Sequence, residues 1–268
     1  MTPRPAAPGD GTSANPKRTK HRLDTLVVER GLAGSRARAR AMILAGHVRL
    51  DGEIAPKAGT LVSTDATVTV TESDHPFVSR GGIKLAHAID TWQVRIRDRQ
   101  ALDIGASTGG FTDVLLRSAA SHVVALDVGR GQLAWSLRQD PRVTVLDRVN
   151  ARSLDTVAWP PGRSMFDVIT VDVAFISLTL IVPGLSARLH PDADVLLLVK
   201  PQFEAGRSDV GKGGLVTDPA VHARAVERVV AATDRIGLTV VGTIESPITG
   251  AEGNREFFLH LRRREDTA

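Results

Sequence analysis

Apolar residues recur at helical spacing at Leu23, Leu26 and Val27, and Gly31 stands where it can close that helix. Ser35 can cap a second helix that runs to Ala45 and ends at Gly46. Val48-Arg49-Leu50, the turn Asp51-Gly52 and Glu53-Ile54 predict a hairpin, and alternation over 66–70 predicts one more strand. Further along, the pattern changes. Short apolar runs over 101–104, 122–127, 143–147, 166–172, 195–199, 238–245 and 256–262 read as strands. Amphipathic stretches over 84–92, 110–118, 132–139, 177–189 (bent at Pro183) and 220–236 read as helices. Such alternation predicts an α/β fold, a doubly wound and mostly parallel sheet. The last two strands are joined by a turn over 247–254, so they should pair antiparallel.

These patterns divide the chain. A leader over 1–20, rich in Pro, Gly, Ser, Thr and Lys, is expected to be disordered. A small α+β module follows over 21–72, then a linker over 73–78 and the larger domain over 79–268. The chain has no cysteine, which excludes disulfides, thiolate catalysis and Cys-ligated zinc. No apolar run reaches the roughly 20 residues that span a bilayer, and the N-terminus has no secretory apolar core, so a cytoplasmic protein is expected. The net charge of +4 is unevenly spread, with +7 in the first 50 residues and −3 in the remainder. A basic front end on a mildly acidic body suits a polyanion-binding module, although a solvated basic face would look the same.

The candidate chemistry gathers at strand ends. Asp103-Ile104-Gly105-Ala106-Ser107-Thr108-Gly109-Gly110-Phe111 is a strand, a turn of small residues and a helix start, a geometry that suits a nucleotide-like cofactor. Its Gly-x-x-x-Gly-Gly spacing is not that of dinucleotide binders. Asp127 ends the next strand, where a carboxylate could read ribose hydroxyls; either acid could instead be a cap or turn former, but both stand at the expected carboxyl edge in register with a cofactor site, which favours function. Asp172 and Lys200 end two further strands. A lysine directly after Val195-Leu196-Leu197-Leu198-Val199 needs a buried partner, and Asp172 at the adjacent tip would supply it, even as a purely structural ion pair. Lys84 and Glu256, taken singly, read as surface charges. The seven-stranded order with a reversed last hairpin is the pattern of Rossmann-like class I methyltransferases, which use S-adenosylmethionine.

Five segments, in order, carry a narrower resemblance. They are Ser79-Arg80-Gly81-Gly82-x-Lys84-Leu85, the turn from Asp103 to Thr112, Asp172-x-x-Phe175-Ile176-Ser177-Leu178, Lys200-Pro201-Gln202-Phe203-Glu204 and Gly253-Asn254-x-Glu256-Phe257. The larger domain resembles 2′-O-ribose methyltransferases of the FtsJ/RrmJ type. From Arg22 onward the chain is similar to the TlyA family of ribosomal RNA cytidine-2′-O-methyltransferases, often labelled hemolysin A. The front module resembles an S4 RNA-binding domain, through Arg22-Leu23-Asp24 and Ser35-Arg36-x-x-Ala39-x-x-x-Ile43.

The resemblance implies a Lys-Asp-Lys-Glu catalytic tetrad at Lys84, Asp172, Lys200 and Glu256. It also implies S-adenosylmethionine as cofactor, with Asp103, Gly105, Ala106, Ser107, Gly109, Gly110, Phe111, Asp127, Val128 and Asn150 as its expected site. Ribosomal RNA in assembled 16S- or 23S-containing subunits becomes the expected partner, contacted by Lys20, Arg22, Arg36, Arg38, Arg40 and Arg80. Lys200 is the expected proton acceptor, provided that Lys84 lowers its pKa more than the carboxylates raise it. No metal and no membrane partner is expected, and nothing in the pattern demands more than a monomer. The stretch 206–214 reads as a mobile loop over the site. Two other readings stay open: a non-catalytic RNA-binding or assembly factor, and, more remotely, a membrane-lytic protein.

Overall fold

The front module is built from β1 (Lys20–Arg22), α1 (Leu23–Glu29), α2 (Arg36–Ala45), β2 (Val48–Leu50), β3 (Glu53–Ile54), β4 (Leu61–Ser63) and β5 (Val68–Val70). The Ser35 hydroxyl accepts the Arg38 N–H at 3.2 Å, and Gly46 closes α2 in the left-handed region at φ 83°. Strands β3-β2-β5 form one antiparallel sheet; β1 pairs with β4 in a second. Neither β1 nor β4 was expected, since neither is flanked by a turn signal like the Asp51-Gly52 that marks β2 and β3. Leu23, Val27, Ala39, Ile43 and Val48 form the module's core. This computed structural model describes residues 19–33, 35–55, 57–70, 75–250 and 253–264. The expected leader up to residue 18 and the linker over 73–74 lie outside the described residues.

The larger domain runs α3 (Gly81–Trp92), β6 (Gln100–Ile104), α4 (Gly110–Arg117), β7 (His122–Asp127), α5 (Trp135–Arg138), β8 (Val143–Asp147), β9 (Phe166–Val171), β10 (Leu189–Val199), α6 (Pro201–Glu204), α7 (Pro219–Asp234), β11 (Leu238–Glu245) and β12 (Phe257–Arg263). Its seven strands lie in the order β11-β12-β10-β9-β6-β7-β8. All neighbours are parallel except β12, which runs antiparallel to both β10 and β11. Successive residues feed opposite faces: Leu102, Val124, Ile169 and Leu197 pack on one side with α7, while Ala101, Val123, Val168 and Leu196 pack on the other with α3 and α4. Both faces are covered, which is why these strands read as continuous apolar runs.

Two expected helices came out differently. The stretch over 177–189 is three 3-10 turns, Leu178–Leu180, Val182–Gly184 and Ser186–Arg188. Pro183 has no N–H to give an α-helical ladder, and the tighter turns still bury Leu178, Ile181, Val182 and Leu185. The stretch over 132–139 is helical only in α5. Ahead of it, the Gly129 and Gly131 N–H groups donate to the Asp127 and Asp147 carboxylates, and the Ala134 N–H donates to the Thr108 carbonyl, so the backbone is held outside a helix. Strand β10 starts six residues before the expected 195, with an irregular register between Leu189 and Asp194 around Pro191.

The chain passes from β6 outward through β7 to β8, then returns to place β9 on the other side of β6. Ligands of open α/β sheets bind at the carboxyl ends of the strands at such a switch point. Here Gly105 leaves β6 beside Asp172 leaving β9. Gly105 has φ 86°, and a Cβ on it would stand 2.2 Å from the Asp172 carbonyl oxygen. Gly105→Ala is therefore expected to cost about 3 kcal/mol or more in urea unfolding. Gly52→Ala, at φ 89° in an open turn with nothing within 4 Å, should cost about 1 kcal/mol. Equal losses at the two positions would show that the close approach is not what requires Gly105.

Candidate functional site

Four charged side chains converge beyond this switch point. Lys84 comes from the first turns of α3, Asp172 follows β9, Lys200 follows β10 and Glu256 precedes β12. The register Val199↔Phe257 sets Lys200 beside Glu256, and Leu197↔Val171 brings Lys200 and Asp172 out at the same edge of the sheet. Lys84 Nζ lies 2.5 Å from Glu256 Oε2, and Lys200 Nζ lies 2.5 Å from Asp172 Oδ1. Glu256 is enclosed and Lys84 nearly so. Burial pushes the Asp172 carboxyl up, but the Lys200 and Lys84 charges outweigh it and hold the group below the usual carboxylate range. Burial likewise lowers Lys200, and the Asp172 and Glu256 charges overcome that and raise it above the ordinary lysine value. The carboxylates thus outweigh Lys84 at Lys200, the balance that the sequence left open.

Two cavities open at Asp172, and the smaller one also reaches Lys84; Lys200 and Glu256 line neither. One, of about 180 Å³, is lined by Lys84, Asp172, Arg80 and the turn residues Gly105, Ala106, Ser107, Gly110 and Phe111. The other, of about 510 Å³, is lined by Gly105, Ser107, Asp127, Val128, Asn150 and the segment from Asp172 to Ile176. Gly105, Ser107 and Asp172 border both, so the larger cavity leads to the charged cluster. The Asp127 carboxylate accepts the Ser107 N–H at 2.8 Å and the Gly129 N–H at 2.6 Å. It shapes the turn and faces the cavity at once, with lone pairs left for a ligand.

Two expected cofactor residues are placed elsewhere. Asp103 lines neither cavity: it is fully buried beneath the turn, accepting from the Thr112 hydroxyl at 2.6 Å and the Thr170 hydroxyl at 3.2 Å. Burial, opposed by those hydroxyls and aided by the Asp172 charge, pushes it up to about 7. Gly109 also lines neither; at φ 102° it begins α4, and a Cβ there would meet Leu137 at 2.3 Å. Gly110 is needed for packing as well, since a Cβ would stand 2.4 Å from the Ser79 hydroxyl. The glycines that suggested close approach to a ligand are required first by close approach of the protein to itself. The loop over 206–214 lines neither cavity; its end is held by Asn254, which donates to the Gly214 carbonyl and accepts the Val216 N–H.

The expected RNA-contacting cations are not equivalent. Arg22 is bound through two nitrogens to the buried Asp24 carboxylate, at 3.0 and 2.9 Å, and Arg36 reaches the same group at 3.3 Å. Lys20, Arg38 and Arg40 are exposed on β1 and α2. Arg80 sits in the smaller cavity and donates to the Thr249 carbonyl. Three further residues carry signals that spacing did not separate. Phe175 is 91% exposed at the rim of the larger cavity with φ 65°, a conformation that bulky side chains rarely hold. Glu204 is buried, and its carboxylate takes the Ser177 hydroxyl at 2.5 Å and the Leu178 N–H at 2.7 Å, tying α6 to the segment that walls the cavity. Leu44 of α2 borders both cavities, bringing the front module to the site.

Among the described residues no group of His, Asp or Glu is arranged to hold a metal, and no helix is long and apolar enough to cross a membrane. The FtsJ-like methyltransferase family matches residues 77–263, and the S4 domain family matches residues 21–68. The chain is 50% identical to the 16S/23S rRNA (cytidine-2′-O)-methyltransferase TlyA of Mycobacterium tuberculosis, over 92% of this chain and 91% of that protein. It is 38% identical to a protein of Brachyspira hyodysenteriae named hemolysin A, over 90% of this chain and 99% of that one. A solved structure from Streptococcus thermophilus, also carrying the hemolysin name, superposes with a TM-score of 0.70 at 38% identity, covering 92% and 90% of the two chains. The chain belongs to the TlyA family, an S4 domain joined to an FtsJ-like methyltransferase domain.

Proposed function

We propose that this protein transfers the methyl group of S-adenosylmethionine to a ribose 2′-hydroxyl, that of a cytidine, in 16S or 23S ribosomal RNA within assembled subunits. The observation that carries the reading is the pair of contacts Lys84–Glu256 and Lys200–Asp172, in which Asp172 borders a cavity of about 510 Å³ and both Asp172 and Lys84 border the smaller one beside it. The residues around that cavity fit the cofactor: Asp127 faces it with free lone pairs, Asn150 and the Ser107 main chain add polar contacts, and Val128, Val173 and Ile176 add apolar walls. When bound, S-adenosylmethionine supplies an activated methyl group on sulfur.

A 2′-hydroxyl is a weak nucleophile, so this chain's task is to orient it and to stabilise charge as its proton leaves. Lys200 does so as an ammonium: held by Asp172, it donates a hydrogen bond to the 2′-oxygen and leaves a lone pair aimed at the methyl carbon. With the cofactor bound, the methyl–sulfur bond would break as the C–O bond forms, leaving a neutral thioether, and the hydroxyl proton would pass to solvent. Lys84, fixed by Glu256, adds positive charge beside that oxygen, and Arg80 in the same cavity suits the adjoining phosphate. The exposed ring of Phe175 offers a face to a base turned out of its stack. Arg38, Arg40 and Lys20 hold phosphates and so contribute affinity without sequence choice.

Incubation with ribosomal subunits and labelled S-adenosylmethionine should place label on ribose 2′-oxygens; label on bases, or none on either subunit, would overturn the reading. Lys200→Ala should lower kcat by about 10²- to 10⁴-fold while the protein still binds cofactor. Because Asp172 ionises below the usual carboxylate range and Lys200 above the usual lysine value, both stay charged across neutrality. The rate should therefore be flat from about pH 6 to 9, apart from any inflection near pH 7 that Asp103→Asn removes, which belongs to the turn. A base-limited rise with unit slope that survives in Asp103→Asn would mean that Lys200 acts as a neutral base. Glu204→Ala should raise KM for S-adenosylmethionine about tenfold, more than it lowers kcat, with partial recovery in Glu204→Gln.

A further inference from the structure

Trp135 is 69% exposed, whereas Trp92 packs on His260 and Trp159 packs edge-on against Phe166. It is also rigidly placed. Leu133 and Leu137 on either side of it are buried against Gly109, and the Ala134 N–H is bonded to the Thr108 carbonyl at 3.1 Å. The backbone that carries the indole is thereby tied to the same turn that borders the cofactor cavity. It walls a groove of about 700 Å³ whose opposite side is α2, through Arg38, Ala41, Met42 and Ala45. An adjoining hollow of about 280 Å³, sharing Ala41, Thr108 and Gln132, holds Arg40 and Arg130.

No carboxylate lines either space, and Arg38, Arg40 and Arg130 have no ion-pair partner among the described residues. An apolar groove with a tryptophan face and a rim of unpaired guanidinium groups matches one chemistry: bases that stack and phosphates that pair. Thr108 also lines the cavity at Lys84 and Asp172, and Gln132 lines the cofactor cavity, so the groove is continuous with the site.

We propose that this groove takes an unpaired nucleotide of the RNA substrate, flanking the methylated one, with its base stacked on Trp135 and its phosphates on Arg38, Arg40 and Arg130. The proposal rests on RNA being the substrate. Trp135 then acts in substrate positioning, separate from the four charged groups.

The test uses the full chain with isolated ribosomal subunits and with a short single-stranded oligoribonucleotide. Trp135→Ala should weaken subunit binding roughly tenfold or more and raise KM for subunits, leaving kcat and KM for S-adenosylmethionine unchanged. Trp135→Phe should recover most of that loss. The oligoribonucleotide should quench tryptophan emission in the wild type, with the quenched component missing from Trp135→Phe. Unchanged binding in Trp135→Ala, or a rise confined to KM for S-adenosylmethionine, would overturn the proposal. So would cross-linking of a photoreactive group at position 135 to a ribosomal protein in place of RNA. The two readings fail separately: an unchanged KM for subunits in Trp135→Ala removes this groove alone, whereas a wild type that methylates no ribose removes the function.

Discussion

The contact between Gly105 and the Asp172 carbonyl is the constraint on which the site depends. Two parallel strands leave the sheet here in different directions, and their backbones must nearly touch at the point of departure. With a Cβ at Gly105 only 2.2 Å from that oxygen, they could not. The approach is reinforced from both sides: the Asp172 N–H donates to the Ile104 carbonyl at 2.9 Å, and the Gly105 N–H donates to the Leu126 carbonyl at 2.8 Å. The turn after β6 is thus tied to β7 on one side and to Asp172 on the other. Under the proposed function, the cavity for the methyl donor and a carboxylate of the acceptor's charged cluster arise from the same few atoms, so donor and acceptor sites could not shift independently.

Burying four charges together is costly unless their fields compensate. Here they alternate in sign, and each ammonium has a carboxylate at 2.5 Å. The Lys84 charge also acts on Asp172, and the Glu256 charge acts on Lys200, so the set behaves as one neutral group of four rather than two separate pairs. Neutrality has a chemical consequence. A lysine flanked by two carboxylates keeps its proton, which suits a donor that orients a hydroxyl oxygen better than a base that strips it. Asp103, one layer below, shows the opposite case. It has hydroxyl donors but no cation, and its carboxyl is driven up to about 7.

Much of this was legible because strand ends at a sheet's carboxyl edge are short-range features. Asp172 and Lys200 were paired from the improbability of burying a lysine alone after five apolar residues, and the contact at 2.5 Å agrees. The α/β order and the reversed last strand followed from spacing. What stayed hidden depends on contacts between segments distant in sequence. Nothing local distinguishes Gly109, which accommodates Leu137, from a glycine that accommodates a ligand. Arg22 and Arg36 look like free cations until Asp24 is seen buried between them. Glu204 was present in a quoted motif, but its role requires Ser177 and Leu178 on another strand's loop. The 3-10 turns after β9 kept the apolar spacing of a helix, so periodicity could not tell them apart.

The two domains then meet in a way that divides recognition from chemistry. Asp24, held at about 2 by Arg22 and Arg36 against its own burial, organises one end of the front module from within. That leaves Arg38 and Arg40 of α2 facing outward, on the helix whose Leu44 reaches the cavities. The helix whose Arg38 and Arg40 have no ion-pair partner among the described residues therefore also borders the candidate site. His47 extends the junction through its contact with the Val78 carbonyl at 3.4 Å, immediately before the Ser79-Arg80-Gly81 segment that starts α3. Lys84 lies on that same helix. Under the proposed function, an RNA gripped by α2 would be positioned against α3 and the turn after β6 together, so that the front module would set the register of the substrate while the larger domain set the geometry of transfer.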